Sequence, residues 1–216
     1  MVETKQVDWS VYLVTDPRLP PGRSLEEIVA ASIRGGADVV QYREKQTDTR
    51  SMIKTAKTLC DLCHRMGAYF LVNDRVDVAL AVDADGVHLG QDDMPVGIAR
   101  KLLGATKLIG ITVHNVEELK EAEKEGAEYF SVAPVFATPT KPDHQHPLGL
   151  KGVEALALQT QKPLVAIGGI NRSNAAAVIR SGAAGVCVVS AIISAADPEL
   201  ATSELYGLVR TAAENK

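Results

Sequence analysis

The chain has 216 residues, 46% hydrophobic and 23% charged, with a mean hydropathy of +0.02. That is ordinary for a soluble globular protein and long enough for a sizeable core, so one domain over residues 1–216 is expected. A formal charge of −4 and a pI near 5.8 give no global field for nucleic acid or an anionic membrane, and no apolar run approaches the about 18–20 residues of a membrane span.

The polar stretch Met1–Trp9 lacks the apolar core of a signal peptide. Three cysteines cannot complete a disulfide framework, which fits a reducing cytoplasm. Cys60 and Cys63 form a C-x-x-C inside a helical stretch with no second ligand pair, and packing explains them.

In chain order, the first apolar run starts at Val11 and ends on Thr15-Asp16. Ser24 with Glu27 reads as a capping box before a helix over Leu25–Arg34, stopped by Gly35–Gly36. The second run starts at Val39 and ends on Gln41-Tyr42-Arg43-Glu44-Lys45. The third starts at Tyr69 and ends on Asn73-Asp74, and the fourth starts at Gly86 and ends on His88 to Asp93. The fifth starts near Lys107, ends on Thr112-Val113-His114, and precedes a second capping box at Asn115 and Glu118. The remaining runs begin at Tyr129, Leu164 and Gly185, the last two ending on Gly168-Gly169 and Val189-Ser190.

Eight Val/Ile/Leu-rich runs alternating with helical segments, spaced by roughly 25 residues, read as βα units with strands covered on both faces. A weak repeat supports this. Gly36-Ala37-Asp38-Val39-Val40, Gly126-Ala127-Glu128-Tyr129-Phe130 and Gly182-Ala183-Ala184-Gly185-Val186 share one pattern, with a looser copy at Val82–Val87. All four precede even-numbered strands, as in a barrel built from βαβα quarters. The expected fold is therefore an α/β (β/α)8 TIM barrel, with an open doubly wound sheet as the alternative.

Polar residues gather at the C-terminal strand ends, where barrel active sites lie. The two-residue strand period puts Gln41, Arg43 and Lys45 on one face, a cationic set suited to an anion; a solvated strand end is the plainer reading. Asp74 and Asp93 end neighbouring strands and could share Mg²⁺, although aspartates there also cap helices and spacing does not separate Asp93 from Asp92. Glycines after strand 7 and Val189-Ser190 after strand 8 suit a monophosphate held by backbone N–H groups and a helix N-terminus. The long stretch from Val135 to Leu150 holds Thr138, Thr140 and Lys141, and is expected to act as a lid over a phosphorylated ligand. Two anion sites on one rim point to two phosphorylated substrates.

These residues resemble the thiamine-phosphate synthase family over nearly the whole chain. The resemblance rests on Tyr12–Asp16, Gln41–Lys45, Asn73-Asp74, His88–Gln91 leading to Asp93, Thr138-Pro139-Thr140-Lys141, Gly168-Gly169-Ile170 and Val189-Ser190. It implies that Gln41, Tyr42, Arg43, Glu44, Lys45, Asn73, Thr112, Thr138, Pro139, Thr140 and Lys141 bind 4-amino-5-hydroxymethyl-2-methylpyrimidine pyrophosphate, with Arg43, Lys45 and Lys141 catalytic. It also implies that Asp74 and Asp93 hold Mg²⁺, and that Gly169, Val189 and Ser190 hold the thiazole phosphate. The implied chemistry is dissociative: pyrophosphate leaves and the thiazole nitrogen captures the pyrimidine methylene cation. The implied partners are these two small molecules, with neither nucleic acid nor membrane; a homo-oligomer is compatible with the sequence. Thr112 stands where the family usually has serine, Ala133-Pro134 replaces Gly-Pro, and Phe136 replaces tyrosine. Rival readings are a thiazole tautomerase, which places a catalytic histidine where this chain has Pro134, another sugar-phosphate barrel, and a non-catalytic phosphate-binding barrel.

Overall fold

The computed structural model describes residues 6–138 and 146–215. Eight parallel strands close in chain order into a barrel: β1 (Val11–Val14), β2 (Val39–Tyr42), β3 (Tyr69–Asn73), β4 (Gly86–Leu89), β5 (Leu108–Val113), β6 (Tyr129–Val132), β7 (Leu164–Ile167) and β8 (Gly185–Val188). Closure is made by β1 against β8, with Val11 opposite Val186. The open-sheet alternative is thereby excluded. Helices α1 (Leu25–Arg34), α2 (Thr49–Met66), α3 (Val76–Val82), α4 (Val96–Leu103), α5 (Val116–Glu125), α6 (Gly149–Ala157) and α7 (Ala175–Arg180) connect the strands, and α8 (Ser190–Ile193) and α9 (Pro198–Glu214) follow β8.

Each strand feeds two cores, because successive side chains point to opposite faces. On β1, Val11 and Leu13 pack outward against the helices, while Tyr12 and Val14 fill the barrel interior. On β6, Phe130 and Val132 point outward and Tyr129 inward. Burial on both faces is why the strands read as apolar runs. The Tyr129 ring lies directly over Gly110 of β5, where an added Cβ would meet the ring carbon Cζ at 1.9 Å. Trp9 stacks on Tyr129 from below, with ring centroids 4.4 Å apart, and closes the N-terminal end of the barrel.

The repeat before the even strands has a structural task. Its alanines Ala37, Ala84, Ala127 and Ala183 are all buried against the helix layer. Its acidic residue reaches to the neighbouring chain segment and accepts a backbone N–H. Asp38 takes that of Asp8 at 2.8 Å, Asp85 that of Phe70 at 2.7 Å, and Glu128 that of Ile109 at 2.7 Å. In the fourth copy Ala184 carries no carboxylate, and no such bond is made there.

Helix starts follow the expected caps with one difference. Ser24 and Glu27 form a complete capping box. Asn115 caps α5 through the Glu118 N–H, but the Glu118 carboxylate turns to His114 instead of closing the box. Among the described residues, no helix is long and apolar enough to cross a membrane.

Candidate active site

The C-terminal rim opens into a cavity of about 760 Å³, a volume suited to small-molecule ligands. Gln41, Arg43 and Lys45 all line it, as the two-residue period of β2 requires. The intervening residues do not. Tyr42 is buried in the layer between barrel and helices, and the Glu44 carboxylate accepts the N–H groups of Gln46 (2.7 Å) and Thr47 (3.3 Å) in the turn that follows. Both therefore flank the site rather than face it. The Arg43 backbone N–H donates to Thr15 Oγ1 at 2.9 Å, which ties the end of β2 to β1.

Asp74 follows β3 with φ of 60°, a left-handed conformation, and its N–H donates to the His88 carbonyl at 2.8 Å. This turn brings its carboxylate against Lys45 Nζ and beside Asp93. Burial, reinforced by the adjacent Asp93 carboxylate, pushes the Asp74 carboxyl above the usual carboxylate range, and the Lys45 ammonium opposes this. Asp93 lines the cavity and accepts the Gly90 N–H at 2.7 Å. Asp92 lines it too, but Asp93 is the residue paired with Asp74. Neither Asp74 nor Asp93 caps a helix, since the N-cap positions of α3 and α4 are Arg75 and Pro95. Two carboxylates forced together with one already reluctant to ionise make a donor set that a divalent cation with open positions would relieve.

Asn73 lines the cavity, and its Nδ2 is buried with no hydrogen-bond partner among the described residues. Leaving a buried amide unpaired costs about 1–3 kcal/mol, which a ligand oxygen would recover.

Beneath these groups runs a buried polar chain. Gln41 Nε2 donates to the Tyr12 hydroxyl (2.6 Å), which bonds the Tyr129 hydroxyl (2.9 Å); that in turn meets His88 Nδ1 (2.8 Å), and His88 Nε2 meets Thr112 Oγ1 (2.9 Å). Burial raises both phenols well above their ordinary range, so they stay neutral. The chain fixes the side chains of Gln41 and Thr112 from opposite sides of the cavity floor. Sequence reasoning missed Tyr12 and Tyr129 as members of this chain. The available signal was a phenol alternating with aliphatic residues on a strand, because a buried tyrosine usually needs a polar partner.

On the far side of the mouth, Gly168 and Gly169 adopt φ of 106° and 64°. The N–H groups of Gly169 and Ile170 donate to no carbonyl among the described residues. A Cβ on Gly169 would lie 2.7 Å from the Ala137 carbonyl and 2.9 Å from Phe136 Cβ. Val189 and Ser190 line the same side, and Ser190 starts α8, whose first N–H groups have no intrahelical acceptor. Because α8 is a single turn of four residues, the helix-dipole contribution expected there is small.

Thr138 lines the cavity; Pro139, Thr140 and Lys141 lie outside the described residues. The segment leading to them pairs with the turn after β7, through Val135 N–H to Ile167 O (2.9 Å) and Phe136 N–H to Gly168 O (3.0 Å). The returning chain is pinned by Leu148 N–H to Pro134 O at 2.9 Å. Asp16 at the end of β1 also faces the cavity. The Arg18 guanidinium beside it holds its carboxyl below the usual range.

The family model for thiamine monophosphate synthase matches residues 11–192. A thiamine-phosphate synthase of Chloroflexus aurantiacus is 54% identical over 208 residues, covering 96% of each chain. One from a Roseiflexus species is 46% identical over 206 residues, covering 95% of this chain and 87% of the relative. Among solved structures, the thiamine phosphate pyrophosphorylase of Pyrococcus furiosus superposes with a TM-score of 0.87 at 41% identity, covering 95% of this chain and 98% of the other. The chain belongs to the thiamine monophosphate synthase family.

Proposed function

We propose that the chain is a transferase that joins 4-amino-5-hydroxymethyl-2-methylpyrimidine pyrophosphate to 4-methyl-5-(2-phosphooxyethyl)thiazole, releasing pyrophosphate and thiamine phosphate in the cytoplasm. Arg43, Lys45, Asn73, Thr138, Thr140 and Lys141 bind the pyrophosphate, while Gln41 and Thr112 orient the pyrimidine from the cavity floor. Gly169, Val189 and Ser190 hold the thiazole phosphate. Asp74 and Asp93 would hold Mg²⁺, which when bound supplies positive charge for the departing pyrophosphate.

The residues then do three things. Arg43 and Lys141 neutralise charge that grows on the leaving oxygen, which is the form of stabilisation that lowers the barrier rather than the ground state. Lys45 bridges this group to Asp74. The two anion sites fix the distance between methylene carbon and thiazole nitrogen. The nitrogen carries its own lone pair, so the attack needs no general base.

The observation that carries this reading is the buried Asn73 Nδ2, without a partner among the described residues, beside the Asp74–Asp93 pair. Calorimetric titration of pyrophosphate into the protein tests it. Binding should require Mg²⁺ and weaken about 10-fold or more in Asn73→Ala, the equivalent of one lost bond to a charged group. Binding equally strong in chelator and in Mg²⁺ would sink the reading.

A further inference from the structure

We propose that His114, oriented by Glu118, is a further catalytic residue that donates a proton to the pyrophosphate oxygen as it departs; this rests on the two-substrate reading above. His114 follows β5 in the inward-facing phase of Gly110 and Thr112, and both it and Glu118 line the cavity. Its Nδ1 lies 2.9 Å from Glu118 Oε2, and the same oxygen accepts the His114 backbone N–H at 2.8 Å. The other Glu118 oxygen accepts from Asn115 Nδ2 at 2.7 Å. Ring and carboxylate are therefore fixed to each other at the start of α5.

A carboxylate on Nδ1 makes that nitrogen the donor, so Nε2 is the atom left for proton exchange. His88 offers the contrast: both its nitrogens are engaged inside the protein, at 2.8 and 2.9 Å. His114 Nε2 has no partner among the described residues. Its ring stands on the rim between the β4 end, with Asp93, and the β6 end that leads to Thr138. These are the two elements that would grip the pyrophosphate. The charged groups sharing this sector of the cavity are Glu118 from α5 and Asp92 and Asp93 after β4; Ala133–Thr138 after β6 adds none.

The step balances. The bond from the pyrimidine methylene carbon to the pyrophosphate oxygen breaks with its electron pair going to oxygen, which takes the Nε2 proton of the imidazolium. The thiazole nitrogen lone pair forms the new carbon–nitrogen bond, and the neutral imidazole regains its proton from solvent.

Single-turnover release of pyrophosphate, measured from about pH 5.5 to 9, tests this. The parent rate should fall with rising pH, as expected of a step that uses a general acid. His114→Gln should be slower by about 100-fold, in the range of general-acid contributions, with the fall at alkaline pH gone and KM for the pyrimidine substrate within about 2-fold. Glu118→Gln, which misorients the ring but keeps it, should lose rate less severely and retain the alkaline fall. His114→Gln with the parent's rate and profile would overturn the inference, as would Glu118→Gln with the parent's rate. A parent that releases no pyrophosphate with both substrates and Mg²⁺ present would instead refute the proposed function.

Discussion

Replacing Gly169 with alanine probes the seam between the two proposed anion sites. Gly169 has φ of 64°, and alanine in that left-handed conformation costs about 1–2 kcal/mol. The new methyl would sit 2.7 Å from the Ala137 carbonyl and 2.9 Å from Phe136 Cβ, so the backbone of that segment must shift by several tenths of an ångström. Phe136 is tied to Gly168 by a 3.0 Å bond, whose weakening adds about 0.5–1.5 kcal/mol. Together these predict a loss of about 1.5–3.5 kcal/mol, or a melting temperature lower by roughly 3–14 °C for a chain of this size. The functional effect should be broader than a lost phosphate contact. The thiazole phosphate loses a backbone donor, raising its KM by about 10–100-fold. Thr138, next after Ala137, moves with the segment, so kcat should fall as well. The assay is thermal melting alongside steady-state kinetics with each substrate varied. Gly207→Ala is the control: nothing lies within 4 Å of its added Cβ inside α9, and it should stabilise slightly without changing the kinetics. A folded Gly169→Ala with parental melting temperature and parental KM would refute the reasoning.

Asp74→Asn should raise the melting temperature in chelator at neutral pH by a few degrees, about 2–4 °C per kcal/mol, and eliminate Mg²⁺-dependent stabilisation. The sign follows from the raised carboxyl: folding is favoured most when the group is protonated, so the variant's advantage should shrink as pH falls through the folded-state titration of Asp74. Tyr129→Phe removes the shared partner of Tyr12 and His88 and should cost about 1–3 kcal/mol in urea denaturation. Arg43→Ala should lower kcat most, whereas Ser190→Ala should raise chiefly the KM for thiazole phosphate; identical effects of both on both substrates would show that the sites are not separate.

The strands were legible because parallel strands covered on both faces leave little choice but aliphatic runs. Seven of the eight begin at the residue the sequence suggests, and β5 starts at Leu108, one residue past Lys107. Alternation correctly grouped Gln41, Arg43 and Lys45, but contiguity does not make Tyr42 and Glu44 part of the cavity wall. Spacing could not choose between Asp92 and Asp93, because both lie in one turn and the choice depends on contact with Asp74 across the strands. The Tyr12–Tyr129 pair was illegible for a similar reason: periodicity says which residues share a face, while only barrel closure brings β1 and β6 face to face. The Asn115 capping box failed because the Glu118 carboxylate had a competing partner four residues earlier in His114.

The central claim is that two anion sites on one rim bring two phosphorylated molecules together for a single bond-forming step. The direct measurement is to incubate the purified protein with the pyrimidine pyrophosphate, the thiazole phosphate and Mg²⁺, and to quantify both products over time. The account predicts thiamine phosphate and pyrophosphate in equal amounts, with no thiamine phosphate when either substrate is omitted and none in chelator. Pyrophosphate without thiamine phosphate, or neither product despite both substrates being bound, would contradict it.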